Sequence, residues 1–170
     1  MPKTRKQQNA QNIRICRDEF EAAQQNGTQQ QIASAAASLG LALFQAYKMT
    51  EGQKYFNQAD QISKQLEDFR LQVHCLGIKA LAYQFVGRYP EAFKVAEEIF
   101  EMAVERDDDE LRFDAYASMG QILLESGEPV LALEKFQAAQ KISDNLDDPR
   151  RAMNIRSAMG NHALNVGAPE

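Results

Sequence analysis

Residues 76–104 read LGIKALAYQFVGRYPEAFKVAEEIFEMAV, and the rest of the chain can be laid over them. Leu76, Ala80, Tyr83, Gly87, Tyr89, Glu91, Ala92 and Ile99 make a spaced pattern. Forty residues on, the pattern returns as Tyr116, Gly120, Leu123, Gly127, Pro129, Ala132, Phe136 and Ala139. Forty residues back it returns as Ala36, Gly40, Leu43, Tyr47, Phe56 and Ala59, and near the end as Met159, Gly160, Ala163 and Gly167. A fixed period in this range means stacked supersecondary units in place of a single globular core. No segment alternates with the period of two that a strand needs, so the chain is expected to be all-α.

The stretch Ala80-Leu-Ala-Tyr83-Gln-Phe-Val-Gly87-Arg-Tyr89-Pro-Glu91-Ala92 resembles the tetratricopeptide repeat, and the resemblance covers residues 28–167. That repeat is a helix–turn–helix unit of about 34 residues. Here each unit is longer, and the extra length recurs between units as Leu66-Glu67-Asp68, Arg106-Asp107-Asp108 and Leu146-Asp147-Asp148. In this it is similar to the long-repeat branch found in spindle-orientation adaptors, receptor-clustering proteins and some bacterial peptide receptors. Lys79 and Arg156 replace the usual apolar residue, Gly52 the usual alanine and Ala96 the usual aromatic. The resemblance implies a right-handed α-solenoid of antiparallel helix hairpins, with three full repeats and flanking helices.

The expected order is a disordered basic tail over 1–6, a capping helix over 7–27 and the solenoid over 28–170. Ile13, Cys16, Phe20 and Ala23 lie on one stripe of the first helix, and Asn26-Gly27 stops it. Helices are then expected over 28–49, 50–66, 69–86, 89–106, 108–126, 129–146 and 149–166. Gly40, Ala80, Gly120 and Gly160 permit close helix approach, and Phe56, Phe136, Tyr83 and Tyr116 are expected to fill the space between neighbouring units.

Net charge is −5, yet residues 1–17 hold five Lys or Arg and no acid, so the remainder carries −10. An acidic body argues against nucleic acid as the main ligand. No apolar run is long enough to span a membrane, and a cytoplasmic location is the expectation. Cys16 and Cys75 follow no metal or redox spacing and are expected as free thiols. His74 and His162 form no triad spacing with a nucleophile. The run Asp107-Asp108-Asp109-Glu110 lacks the glycine and alternating ligands of a calcium loop, and reads as a charged helix start. No catalytic residue, metal or cofactor is expected.

Function is therefore read from the groove that the first helix of each unit lines in the resembled family. The resemblance places Ser34, Ala37, Leu41 and Phe44 there, then His74, Ile78, Leu81 and Phe85, then Asp114, Ser118, Gln121 and Glu125, and last Asn154, Asn161 and Asn165. An apolar start followed by a polar, acidic stretch suits a protein or peptide with apolar anchors and basic flanks. Alternatively, Leu41, Phe44, Leu81 and Phe85 pack against the N-terminal helix. The expected function is a non-catalytic interaction scaffold. The alternative is a regulatory sensor domain of a bacterial signalling system, or the N-terminal piece of a larger assembly. Gly167-Ala168-Pro169-Glu170 repeats the form of Gly127-Glu128-Pro129-Val130, which signals a further second helix that does not follow. Ile155, Met159, Ala163 and Val166 are accordingly expected as an open strip that pairs two copies in a homodimer.

Overall fold

The computed structural model describes residues 4–146, 149–151, 153, 155, 158 and 159. Every regular element among them is an α-helix: α1 (Arg5–Asn26), α2 (Gln29–Gln45), α3 (Met49–Gln65), α4 (Phe69–Phe85), α5 (Tyr89–Glu105), α6 (Asp109–Glu125) and α7 (Pro129–Leu146). Pro149, Arg150, Arg151, Met153, Ile155, Ala158 and Met159 are helical as well. The protein is an all-α chain of repeated helices. It forms two compact units, Met1–Arg88 and Tyr89–Glu170.

The 40-residue period resolves into two equal halves. Helices α2 to α6 are 17 residues each and begin 20 residues apart, at Gln29, Met49, Phe69, Tyr89 and Asp109, with α7 following at Pro129. Each three-residue turn holds one residue of positive φ: Tyr47 (59°), Glu67 (52°), Gly87 (75°), Asp107 (54°) and Gly127 (85°). At four of them the next N–H reaches five residues back, from Lys48 to Leu43, Arg88 to Tyr83, Asp108 to Ala103 and Glu128 to Leu123. This is the Schellman closure, which satisfies carbonyls that the ending helix leaves unpaired. The turns between repeats then start the next helix with a side-chain cap. Asp68 and Asp108 accept from the backbone N–H of Leu71 and Leu111.

Residues 5 and 6, expected in a tail, belong to α1. Thr4 and Gln7 form a capping box that starts the helix there, and Thr28 and Gln31 repeat the device for α2. In the first unit α2 packs on α1, α3 and α4, and α3 on α4. Gly40 lies under the ring of Phe56, and Phe44 lies over Gly52. Crossed contacts of this kind require α2 and α3 to run antiparallel. Phe56 therefore fills the seam inside its own hairpin, and Phe136 does the same against Gly120. Both were expected between units; the missing Cβ of the facing glycine is what draws the ring inward. Tyr83 does bridge repeats. Its ring meets Phe44 edge-on at 5.5 Å, and its hydroxyl hydrogen-bonds Gln53 Oε1 at 2.7 Å.

The alanines of α2 carry the first core. Ala33, Ala36, Ala37, Leu39, Ala42 and Leu43 are buried beneath Ile13 and Phe20 of α1, so α1 covers the first repeat as a cap. In the second unit α6 packs on α5 and α7, and Phe100 of α5 meets Tyr116 of α6 with ring centroids 4.6 Å apart. Its core gathers Phe113, Leu123, Ala132, Phe136, Ala139 and Ile155.

Candidate partner-binding surfaces

In the first unit, the expected groove residues separate into two groups. Phe44 is fully buried, its ring edge-on to Phe56 at 5.3 Å and to Tyr83, and Ala37 is buried with it. Neither can meet a partner: Phe44 packs against Phe56 of α3 and Tyr83 of α4, and Ala37 belongs to the core that includes Ile13 and Phe20 of α1. Ser34 and Leu41 are partly exposed, Ile78 is half-buried against the core, and His74 is exposed. Leu81 and Phe85, one turn apart on α4, stand 57% and 42% exposed. The buried residues of α4, among them Leu71, Cys75, Leu76 and Ala80, account for its core contacts. Leu81 and Phe85 are apolar side chains beyond that requirement.

Two neighbours of this patch carry weak sequence signals. Tyr47 is 62% exposed and lies 6.4 Å from Phe85 between ring centroids. In the sequence it reads as a turn position, equivalent to Gly87 and Gly127, and an aromatic at a left-handed turn was the available clue. Arg5, expected in the tail, sits with its guanidinium 5.7 Å over the Phe85 ring. The N-terminal helix does reach Phe85, through this cation. A cleft of about 590 Å³ opens beside it, lined by Arg5, Lys6, Asn9, Ile13, Tyr47 and Lys48 among others.

In the second unit the acidic side chains are exposed but largely engaged. Arg151 bonds Glu110 at 3.0 Å and Asp114 at 3.3 Å, and also lies over the Phe113 ring. Asp114, the residue expected to draw a basic flank, therefore already faces a cation. Desolvation raises its pKa most, Arg151 pulls it down, and Glu110 and Asp108 push it up. Gln121 donates to Glu125 at 2.9 Å, and Ser118 is partly exposed. The acidic run is a helix start tied by Arg112, which bonds Asp107 at 2.8 Å and Asp109 at 2.7 Å. No group of three His, Cys, Asp or Glu among the described residues could hold a metal ion. A cleft of about 550 Å³ lies over Tyr89, Phe93 and Leu131, edged by Glu97, Glu128 and Glu134.

Of the expected pairing strip, Ile155 and Met159 are described, and Ile155 is not open. Ile155 is 3% exposed and belongs to the second unit's core, with Ala158 and Met159 packed beside it. Ile155 is thus buried in its own unit, while Ala158 and Met159 stay partly exposed. Asn154, Asn161, Asn165, Ala163 and Val166 lie outside the described residues.

Both thiols are free. Burial, with a smaller push from Asp60, raises Cys75 to about 11, and burial, then Glu19, raises Cys16. No described helix is long and apolar enough to cross a membrane. No protein-family model matches the sequence, and no curated protein matches it.

Proposed function

We propose that this chain is a non-catalytic protein–protein interaction module of the tetratricopeptide type, acting in the cytoplasm. It holds an extended peptide or a partner helix against the first helices of its hairpins. The observation that carries the reading is the exposed pair Leu81 and Phe85 on α4, extended by Tyr47. Apolar side chains left over after the core is complete, grouped on one surface, favour a docking site. A location where thiols stay reduced accords with two free cysteines. The partner is a protein segment with apolar anchors. Its flanking charges follow from what surrounds each anchor, since Asp114 is already held by Arg151.

Peptides selected from a displayed library against the whole chain test this reading. Burying one Leu or Phe anchor contributes about 1.5–3 kcal/mol. Leu81→Asp is therefore expected to weaken the selected peptides by at least about tenfold in calorimetry while helical dichroism stays unchanged. Peptides that bind Leu81→Asp as well as the parent would remove this face from consideration.

A further inference from the structure

The cations near the N-terminus are not all used alike. Arg14 approaches Asp18 at 3.9 Å, and Arg17 bonds Glu51 at 2.8 Å. Arg5 and Lys6 have no carboxylate partner among the described residues, and neither does Lys48. These three come from segments more than forty residues apart in sequence, the start of α1 and the α2–α3 turn, yet all line one cleft of about 590 Å³. Its other lining residues are Asn9, Ala10, Ile13, Ala46 and Tyr47, with no acid among them. The side chain of Asn9 is held by the carbonyl of Gln45 at 2.9 Å, which fixes α1 over the end of α2. The wall is thus set by packing, and Arg5 is further held over Phe85.

Like charges gathered without counter-ions repel one another, and the arrangement is relieved by an anionic occupant. Small apolar residues on the lining and an exposed aromatic ring beside them accept an apolar side chain. We infer that this cleft is a docking site for an acidic protein segment: an apolar side chain enters over Ala10, Ile13 and Tyr47, and flanking carboxylates meet Arg5, Lys6 and Lys48. Three cations in one cleft make a spot and not a stripe, and the chain beyond residue 17 carries −10. A nucleic-acid backbone needs a basic track that continues, so the charge pattern favours carboxylates on a peptide. The site rests on the reading of this chain as a peptide-binding module; it adjoins the exposed patch of α4 through Tyr47 and Arg5, while Leu81 does not line it.

The probe is a capped, labelled hexapeptide with two central leucines between pairs of glutamates, titrated into the full chain. Its counterpart carries lysines in place of the glutamates. Anisotropy is expected to show binding of the glutamate peptide alone, weakening as salt rises. Amide shifts are expected at residues 5–13 and 46–48. Lys48→Glu, and separately Arg5→Glu with Lys6→Glu, are expected to cut affinity by about tenfold per reversed charge. Val130→Ala, at an exposed position of α7 outside both surfaces, is expected to leave it unchanged. Equal binding of the two peptides, full affinity in Lys48→Glu, or no amide shift in the cleft would overturn the site. So would a single-stranded oligonucleotide that binds the same residues more tightly than the peptide. Selected peptides that still depend on Leu81 would then leave the module reading standing without this cleft.

Discussion

Gly52 lies under the ring of Phe44, and the two explain each other. A Cβ at position 52 would stand 2.6 Å from Phe44 Cδ2 and 2.9 Å from the carbonyl oxygen of Gly40. The ring is fully buried and the oxygen is backbone, so neither can yield cheaply. Gly77, also inside a helix, has nothing within 4 Å of its missing Cβ. Alanine favours a helix interior over glycine by about 0.8–1 kcal/mol, while overpacking costs about 1–3 kcal/mol. Gly77→Ala is therefore expected to raise the urea midpoint and Gly52→Ala to lower it, and a midpoint gain for both would refute the packing account. Cys75 makes a second case at this scale. Its thiol is raised from 9.0 to about 11 in the fold, so between those values the unfolded chain sheds a proton that the native chain keeps. Stability is then untouched below pH 9 and falls above it by up to about 1.4 kcal/mol per pH unit. Subtracting the pH profile of Cys75→Ala from that of the parent isolates the effect, and a flat difference would contradict it.

The elements owe their ends to chemistry that recurs every twenty residues. A left-handed residue closes each of α2 to α6, and where the turn lies between repeats an aspartate opens the next at Asp68 and Asp108. Asp107, Glu67 and Tyr47 occupy that left-handed position without being glycine, a conformation that costs roughly 1–2 kcal/mol for a residue bearing Cβ. The hydrogen bonds of the closing turn offset part of that cost. The last helix illustrates the difference between an amphipathic pattern and a free face. Ile155 is inside the second unit's core with Phe113 and Phe136. Ile155→Ala is expected to destabilise the chain by about 2–5 kcal/mol, and Met159→Glu to lower its thermal midpoint in proportion to protein stability. Sizing with light scattering supplies the contrast. A Met159→Glu chain that keeps its midpoint but changes its mass would restore the pairing strip.

The whole molecule is a series of short helices, each packed on its neighbours in sequence within a unit. Stability in such chains is close to a sum of local terms and neighbour terms. Amide exchange is expected to show seven protected blocks over residues 5–146, separated by fast sites at 27–28, 46–48, 66–68, 86–88, 106–108 and 126–128, where the breaks fall. Mass spectrometry of exchanged peptides reads this directly. Continuous protection across those turns, or a strand signal in dichroism, would be incompatible with the helix boundaries given above. Each unit holds a core of its own. A core substitution such as Phe20→Ala, expected to cost about 3–5 kcal/mol, should lower protection first in residues 5–85.

Periodicity alone determined the helical class, the 40-residue repeat and most helix boundaries, because glycine, proline and aspartate act locally on the backbone they belong to. The roles of Gly40 and Gly120 were legible for the same reason: a small residue at a fixed place in each repeat signals close approach. Which side chains remain outside was not legible. Phe44 and Phe85 both sit near the ends of first helices, yet Phe44 is buried where Gly52 leaves room for its ring, while none of the described glycines faces Phe85. Arg5 and Lys6 were read as tail because nothing in their neighbourhood marks Thr4 as a strong cap except Gln7 three residues on. Their meeting with Lys48, and the capture of Asp114 by Arg151, join residues about forty apart in sequence. Such meetings depend on how helices stack, and burial and charge pairing are properties of that stacking and not of any single segment.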